Sequence, residues 1–270
     1  MNFATDGIIT RSIDVGVSDK LLHVITPDRG RIAVMVKGGR STKSPYTSVS
    51  QLFSYVNIEV SEKNSMYWLR QGSLIRSFYQ LSSDICKVSL ATYLAQLANE
   101  LTDEGESDYS EIMRLLLNSF HLICEGNKPL STVKSVFEMR IAYLSGYSPE
   151  LSGCVYCGEV GNCDYLYLDV MGGRLICSDC LDEHNKRRNV KKTDYDDEVE
   201  TSVLCGLSLS TLAALRFIVS SPSNKIFSFT LTDERDMEDL SRLTEAYILN
   251  HLGRGFDSLD FYKSVKAMTE

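Results

Sequence analysis

Over the first 80 residues apolar side chains recur in short runs, near 7–13, 20–26, 31–37, 51–60 and 66–76, rich in Ile, Val, Leu, Tyr and Phe. Turn formers break them, T-P-D-R-G at 26–30 and K-G-G-R-S-T-K-S-P at 37–45. Short β-branched and aromatic runs bounded by Gly, Pro, Asp and Ser read as strands. Five of them in about 75 residues predict a small barrel such as an OB-fold. A five-stranded sandwich or an SH3-like barrel would give nearly the same pattern.

From about residue 82 the apolar period becomes helical. Leu90, Leu94, Leu97 and Leu101 share one face; Ile112, Leu115, Leu116, Ser119, Phe120 and Ile123 share another. A third stripe, Val133, Val136, Phe137, Ile141 and Leu144, starts after Pro129 and stops at Gly146. These leucine-rich faces read as the core of a helical bundle and need no functional role. Further on, a helix is expected near 208–220 with Ser208 or Ser210 as its cap. A last helix is expected over about 233–252. Asp233, Glu234 and Asp236 stand in its first turn, where the helix dipole favours them. Leu240, Leu243, Tyr247, Ile248 and Leu252 form its buried face, and Gly253 ends it.

Between these helical stretches, residues 152–180 hold five of the eight cysteines. Cys154 and Cys157 form one C-x-x-C and Cys177 and Cys180 another, with 19 residues between the pairs. This is the spacing of a structural zinc site: each C-x-x-C turn aims two thiolates at one cation, and two such knuckles complete a tetrahedron. Gly153, Gly158 and Gly161 permit tight knuckles. Gly172-Gly173 predicts a hairpin turn between Y-L-Y-L-D-V and R-L-I-C. Four thiolates leave no coordination position for water, so one Zn2+ per chain would be structural rather than catalytic. Such a site contributes on the order of 10–16 kcal/mol of apparent binding free energy to folding. Cys163 reads as a spare thiol and His184 as a residue on the helix after the second knuckle, although a contribution of Cys163 or His184 to the metal site stays open. A redox C-x-x-C would need a thioredoxin-like context, and none precedes it.

The predicted organisation is α+β and multidomain: an OB-fold DNA-binding barrel over 1–80, a helical domain over 81–150, a four-cysteine insertion over 151–192 and a second helical part over 193–270. Charge sharpens this picture. The net charge is −8, yet residues 1–80 carry ten Lys/Arg against six Asp/Glu, while 193–270 carry seven against fourteen. Arg29, Arg31, Lys37, Arg40 and Lys43 fall within fifteen residues, against one acid, Asp28, just before them. Lys and Arg neutralise phosphates, and Gly38-Gly39 would let backbone N–H groups approach one. Arg29, Arg31, Lys37, Gly38, Arg40 and Lys43 are therefore the candidate DNA contacts. Phe53, Tyr55, Tyr67 and Trp68 are candidates for base stacking, although alternation along strands sends about half of such residues into a core. The adjacent runs K-R-R-N-V-K-K (186–192) and D-Y-D-D-E-V-E (194–200) read as solvated linker.

No apolar run approaches the roughly 20 residues that cross a bilayer, and the N-terminus has no signal-peptide pattern, so a cytoplasmic protein is expected. His23, His121, His184 and His251 are scattered, with no H-E-x-x-H and no phosphate loop. An OB barrel with a four-cysteine finger also occurs in DNA ligases, but their adenylation lysine is missing: Ala4 stands at that place before Thr5-Asp6-Gly7. A zinc-stabilised nucleic-acid-processing enzyme and a protein-interaction scaffold without DNA contact are the alternatives to a DNA-binding role.

The order of segments is itself informative. The barrel opens D-G-I-I-T-R and contains V-K-G-G-R-S-T-K-S. The helical block ends L-S-G-Y-S-P-E-L and runs straight into C-V-Y-C-G, and later helices end Y-I-L-N-H-L-G-R. Over essentially its whole length the chain resembles the RecO family of bacterial recombination mediators. The most specific matches are Gly146–Gly158 and Lys37–Arg40. The resemblance implies a protein that breaks no bonds, binds single- and double-stranded DNA and promotes annealing. It implies work with RecR on DNA coated by single-strand-binding protein (SSB), so that RecA can load. The SSB C-terminal tail would dock on the helical part, and the protein would be associated with the nucleoid.

Overall fold

The computed structural model describes residues 2–64, 66–105, 107–160, 165–183 and 203–269. Cys163, His184 and the charged runs 186–192 and 194–200 lie outside the described residues. The chain divides into two compact units: Met1–Val133 with Phe256–Glu270, and Lys134–Gly255.

The first unit contains the expected barrel. Its strands are β1 (Asn2–Val15), β2 (Asp19–Thr26), β3 (Gly30–Val36), β4 (Ser54–Lys63) and β5 (Met66–Ser77), closed in the order β1-β2-β3-β5-β4. Closure depends on the length of β1. Its first half pairs with β4 and its second half with β2, so one strand serves two neighbours. β3 meets β5 in parallel at Val34↔Tyr67 and Met35↔Trp68, and all other pairs are antiparallel. Ile9, Leu22, Val24, Ile32, Val34, Val36, Val56, Ile58 and Val60 fill the interior. These residues alternate along their strands, as a closed β-layer requires. This is the OB-type barrel, rather than a sandwich, that the strand count left open.

Two of the expected helices follow in this unit, α1 (Ile85–Glu100) and α2 (Ser110–Glu125). Asp84 caps α1 by accepting from the Cys86 and Lys87 amides, and Gly126 ends α2 in a left-handed conformation. The unit boundary falls inside α3 (Leu130–Leu144).

The second unit holds a sheet in the order β6-β8-β7-β9, made of β6 (Glu150–Cys154), β7 (Leu166–Asp169), β8 (Arg174–Cys177) and β9 (Leu204–Leu207). β7 and β8 form the expected hairpin around Gly172-Gly173, with Gly173 N–H donating to Asp169 O at 2.8 Å. β9 was not expected: four residues are too short to show a period. Its Cys205 and Leu207 are nonetheless buried, and it pairs Leu204–Leu207 with Leu166–Asp169. The sheet thus extends past residue 192 into the stretch read as helical. Helices α4 (Leu209–Ser220), capped by Ser208, and α5 (Glu234–Leu252), capped by Asp233 and ended by Gly253, match expectation. The chain then returns to the first unit as α6 (Asp257–Thr269), which packs on α1. This helix was missed because Leu259, Tyr262 and Val265 are its only buried side chains, a stripe too narrow to stand out.

Candidate nucleic-acid interface and metal centre

Residues 37–53 connect β3 to β4, and Lys37, Arg40 and Lys43 are exposed there. Arg40 ties this loop to the β1–β2 turn. Its Nη1 donates to Gly16 O at 2.7 Å, its backbone N–H donates to Ser18 O, and its Nε lies 3.3 Å from Asp14 Oδ2. Gly38 sits at φ +66° and donates its N–H to Asp19 Oδ1 at 2.9 Å, while Gly39 donates to Val36 O. The Gly38 amide, then the Ser18 hydroxyl, hold the Asp19 carboxyl below its usual range, and Lys37 adds to this. The loop amides are therefore engaged within the protein, and its anion-binding capacity lies in the lysine and arginine side chains. Lys43 has no ion-pair partner among the described residues. Lys20 adds a charge that sequence reasoning missed. Register would have found it, because Lys20 pairs with Val36, the neighbour of Lys37.

Arg29 and Arg31 stand at the other end of β3, about 20 Å from Lys37 along a seven-residue strand. The six residues expected to act together thus fall into two groups. Arg31 Nη1 donates to Asn99 O at 2.8 Å, in the last turn of α1. Arg29 lies over the Phe3 ring at 4.1 Å and beside Asp28. The acidic stretch after α1 lies along the same loop: Gly105 N–H donates to Arg29 O, Tyr109 N–H to Pro27 O, and Glu104 bridges to Gly30. A Cβ on Gly30 would run into the Asp103 carbonyl. This end of the barrel is already occupied by its own chain.

The aromatics divide similarly. Phe53 is core, edge-on to Phe120 at 5.0 Å and 2% exposed, so it cannot stack on a base. Tyr67 packs against Phe3 at 5.5 Å. Its hydroxyl is held above its ordinary value by burial and then by Glu104. Tyr55 donates to Asp6 at 3.2 Å, and Trp68 is half-buried.

The four cysteines meet in the second unit. Cys154 ends β6, Cys177 ends β8, and Cys180 lies in a helical segment over 178–183. The sulfurs of Cys154, Cys157, Cys177 and Cys180 all lie within 4.8 Å of one another, and the Cys157–Cys177 pair is at 3.8 Å. A tetrahedron of thiolates at about 2.3 Å from a metal has edges of about 3.8 Å, so these residues fit a zinc-sized ion. Knuckle amides point at the sulfurs: Cys177 N–H donates to Cys154 Sγ and Cys180 N–H to Cys177 Sγ, each at 3.4 Å. Burial raises the Cys154 thiol, but the Cys177, Cys157 and Tyr156 amides outweigh it and hold it at about 6. Cys180 is pushed up, first by its contact with Cys177 and then by burial. Clustered thiols thus ionise readily once and then resist further charge until a cation supplies the balance. Arg216 fixes the entry to the first knuckle, donating to Leu151 O at 2.8 Å and Ser152 O at 2.7 Å.

Two family descriptions match this chain, Recombination protein O N terminal over residues 1–78 and Recombination protein O C terminal over 82–196. The DNA repair protein RecO of Acetivibrio thermocellus is 26% identical over 98% of each chain. That of Clostridium kluyveri is 29% identical over 97% of this chain and 94% of its own. That of Halalkalibacterium halodurans reaches 35% over 56% of this chain and 59% of its own. The two matches follow one another across the barrel, α1 to α3 and all four clustered cysteines. With full-length relatives of one name on either side of them, the chain belongs to the RecO family of DNA repair proteins.

Proposed function

We propose that this chain is a non-catalytic mediator of DNA repair and homologous recombination. It binds single- and double-stranded DNA through the barrel of residues 1–80, anneals complementary strands, and with RecR helps RecA load on SSB-coated single strands at the nucleoid. The observation that carries this reading is the exposed cluster of Lys37, Arg40 and Lys43 on a loop anchored to the β1–β2 turn. In OB barrels the β1–β2 turn, to which this loop is tied, and the face of β2 and β3 border the oligonucleotide groove. Lys37 and Lys43 supply mobile charge, and Arg40 holds the loop in place while exposing part of its guanidinium. Arg29 and Arg31 contribute mainly as field, because their donors face the protein. Gly38 shapes the turn. The acidic remainder of the chain disfavours phosphate contact there, which leaves it to protein partners such as RecR; the SSB tail docks on the helical part, as the resemblance to the family implies.

One structural Zn2+ on Cys154, Cys157, Cys177 and Cys180 completes the second unit. The donor set is all thiolate, and it supplies folding energy and no reaction. Among the described residues no helix is long and apolar enough to cross a membrane. The test is annealing of complementary oligonucleotides coated with SSB. Adding the chain should accelerate duplex formation without cutting or modifying either strand. Strand scission or base conversion lost on substituting a single carboxylate would replace this reading with an enzymatic one.

A further inference from the structure

The outer face of β1, β2 and β3 carries a second cluster of positive groups. Ile9 points into the barrel core, and simple alternation would send Arg11 there too. The register shifts between Ile9, opposite Val24, and Arg11, opposite His23. The extra residue, Thr10, is a β-bulge that reverses the phase of the strand and brings Arg11 out beside His23. His23 pairs in turn with Ala33, two residues from Arg31 on the same face. Ile13, Leu21 and Met35 continue this face toward Lys37 and are half-buried. Arg11 is exposed and has no hydrogen-bond or ion-pair partner among the described residues.

Burial, then the charges of Arg11 and Arg31, keep the His23 imidazole below its ordinary value. Those two guanidiniums, from β1 and β3, are the charged groups acting on it. No carboxylate of α1 or α2, the helices packed on β2, is among them, and α1 brings the uncharged Asn99. Two guanidiniums around a half-buried imidazole disfavour its protonated form in the free protein, and an anion placed among them offsets that repulsion.

We propose that Arg11 and His23, in the field of Arg31, form an additional binding site for a backbone phosphate of nucleic acid, extending the contact from the 37–43 loop across the outer face of β1–β3. The inference rests on the DNA-binding reading above. Arg11 supplies the direct donors, and His23 takes up a proton as the phosphate enters. Binding therefore strengthens as pH falls from the bound-state value of the imidazole toward its lower free value, and levels off below that.

The experiment uses the full chain and a fluorescent single-stranded oligonucleotide, followed by anisotropy over salt and pH, with NMR of the His23 imidazole. Arg11→Ala should weaken binding about threefold or more and lower the slope of log affinity against log salt by about one. The matched control Lys63→Ala, at an exposed position ending β4, should change little. His23→Gln should remove the gain in affinity between pH 7 and 5.5, and oligonucleotide should raise the titration midpoint of His23. If Arg11→Ala and His23→Gln match wild type and the midpoint stays put, while Lys37, Arg40 and Lys43→Ala abolishes binding, this face is no site and the wider reading stands. If the wild-type chain binds no oligonucleotide, both fall.

Discussion

Gly153 and Cys157 show how little separates a metal knuckle from an ordinary turn. A Cβ on Gly153 would meet the carbonyl oxygen of Gly158, whose own N–H donates to Cys154 O at 2.8 Å. Gly153→Ala should therefore open the first knuckle and weaken metal retention about 10–100-fold, as loss of supporting contacts around metal ligands does. A chelator competition measures this directly, and unchanged retention would show that the turn can relax. Acid should release the metal as well, because each thiolate must be deprotonated to ligate. Spacing alone made the convergence of the four cysteines legible, since C-x-x-C geometry is local. The basic residues were less so. Arg31 and Lys37 look equivalent in sequence, yet one is tied to Asn99 and the other is exposed, because the two ends of β3 meet different neighbours. Phe53, a stacking candidate for which a core position stayed open, is core, since Phe120 of a helix distant in sequence covers it.

Among the elements, α3 carries the most demanding feature. Lys134 is 3% exposed, and its Nζ lies 2.9 Å from Glu138 and 2.8 Å from Glu245 of α5. Thr244 donates to the other Glu138 oxygen at 2.9 Å. Burial alone would depress the Lys134 ammonium, but the two carboxylates more than reverse this and hold it raised. Its stabilising contribution is present below the unfolded lysine value and is lost only as strongly alkaline pH passes the raised one. Lys134→Met keeps the apolar stem but strands Glu138, so it should destabilise by about 3–5 kcal/mol, read as a lower midpoint in urea. A loss below about 1 kcal/mol would mean that Glu138 finds a proton or water instead. Helical stripes such as Leu90, Leu94 and Leu97 were readable because a helix like α1 buries a full face. β9 and α6 were not, since a four-residue strand and a three-residue stripe acquire meaning only against their tertiary partners. Nor does any period announce the Lys134 network, whose members come from α3 and α5.

At the scale of the whole molecule, the basic barrel and the four-thiolate sheet belong to separate compact units, so their roles should separate in experiment. Chelating the metal should lower thermal stability and loosen the second unit, while oligonucleotide affinity changes less than about twofold. A large parallel loss would tie the metal to DNA contact itself. The central claim is that Lys37, Arg40 and Lys43 bind DNA by neutralising its phosphates, and the salt dependence of oligonucleotide binding tests it most directly. Log affinity of the wild-type chain should fall linearly with log salt, and the Lys37, Arg40 and Lys43→Ala chain should bind all sequences more weakly with a slope shallower by about two to three. Equal affinity and equal slope in the two chains would contradict the account.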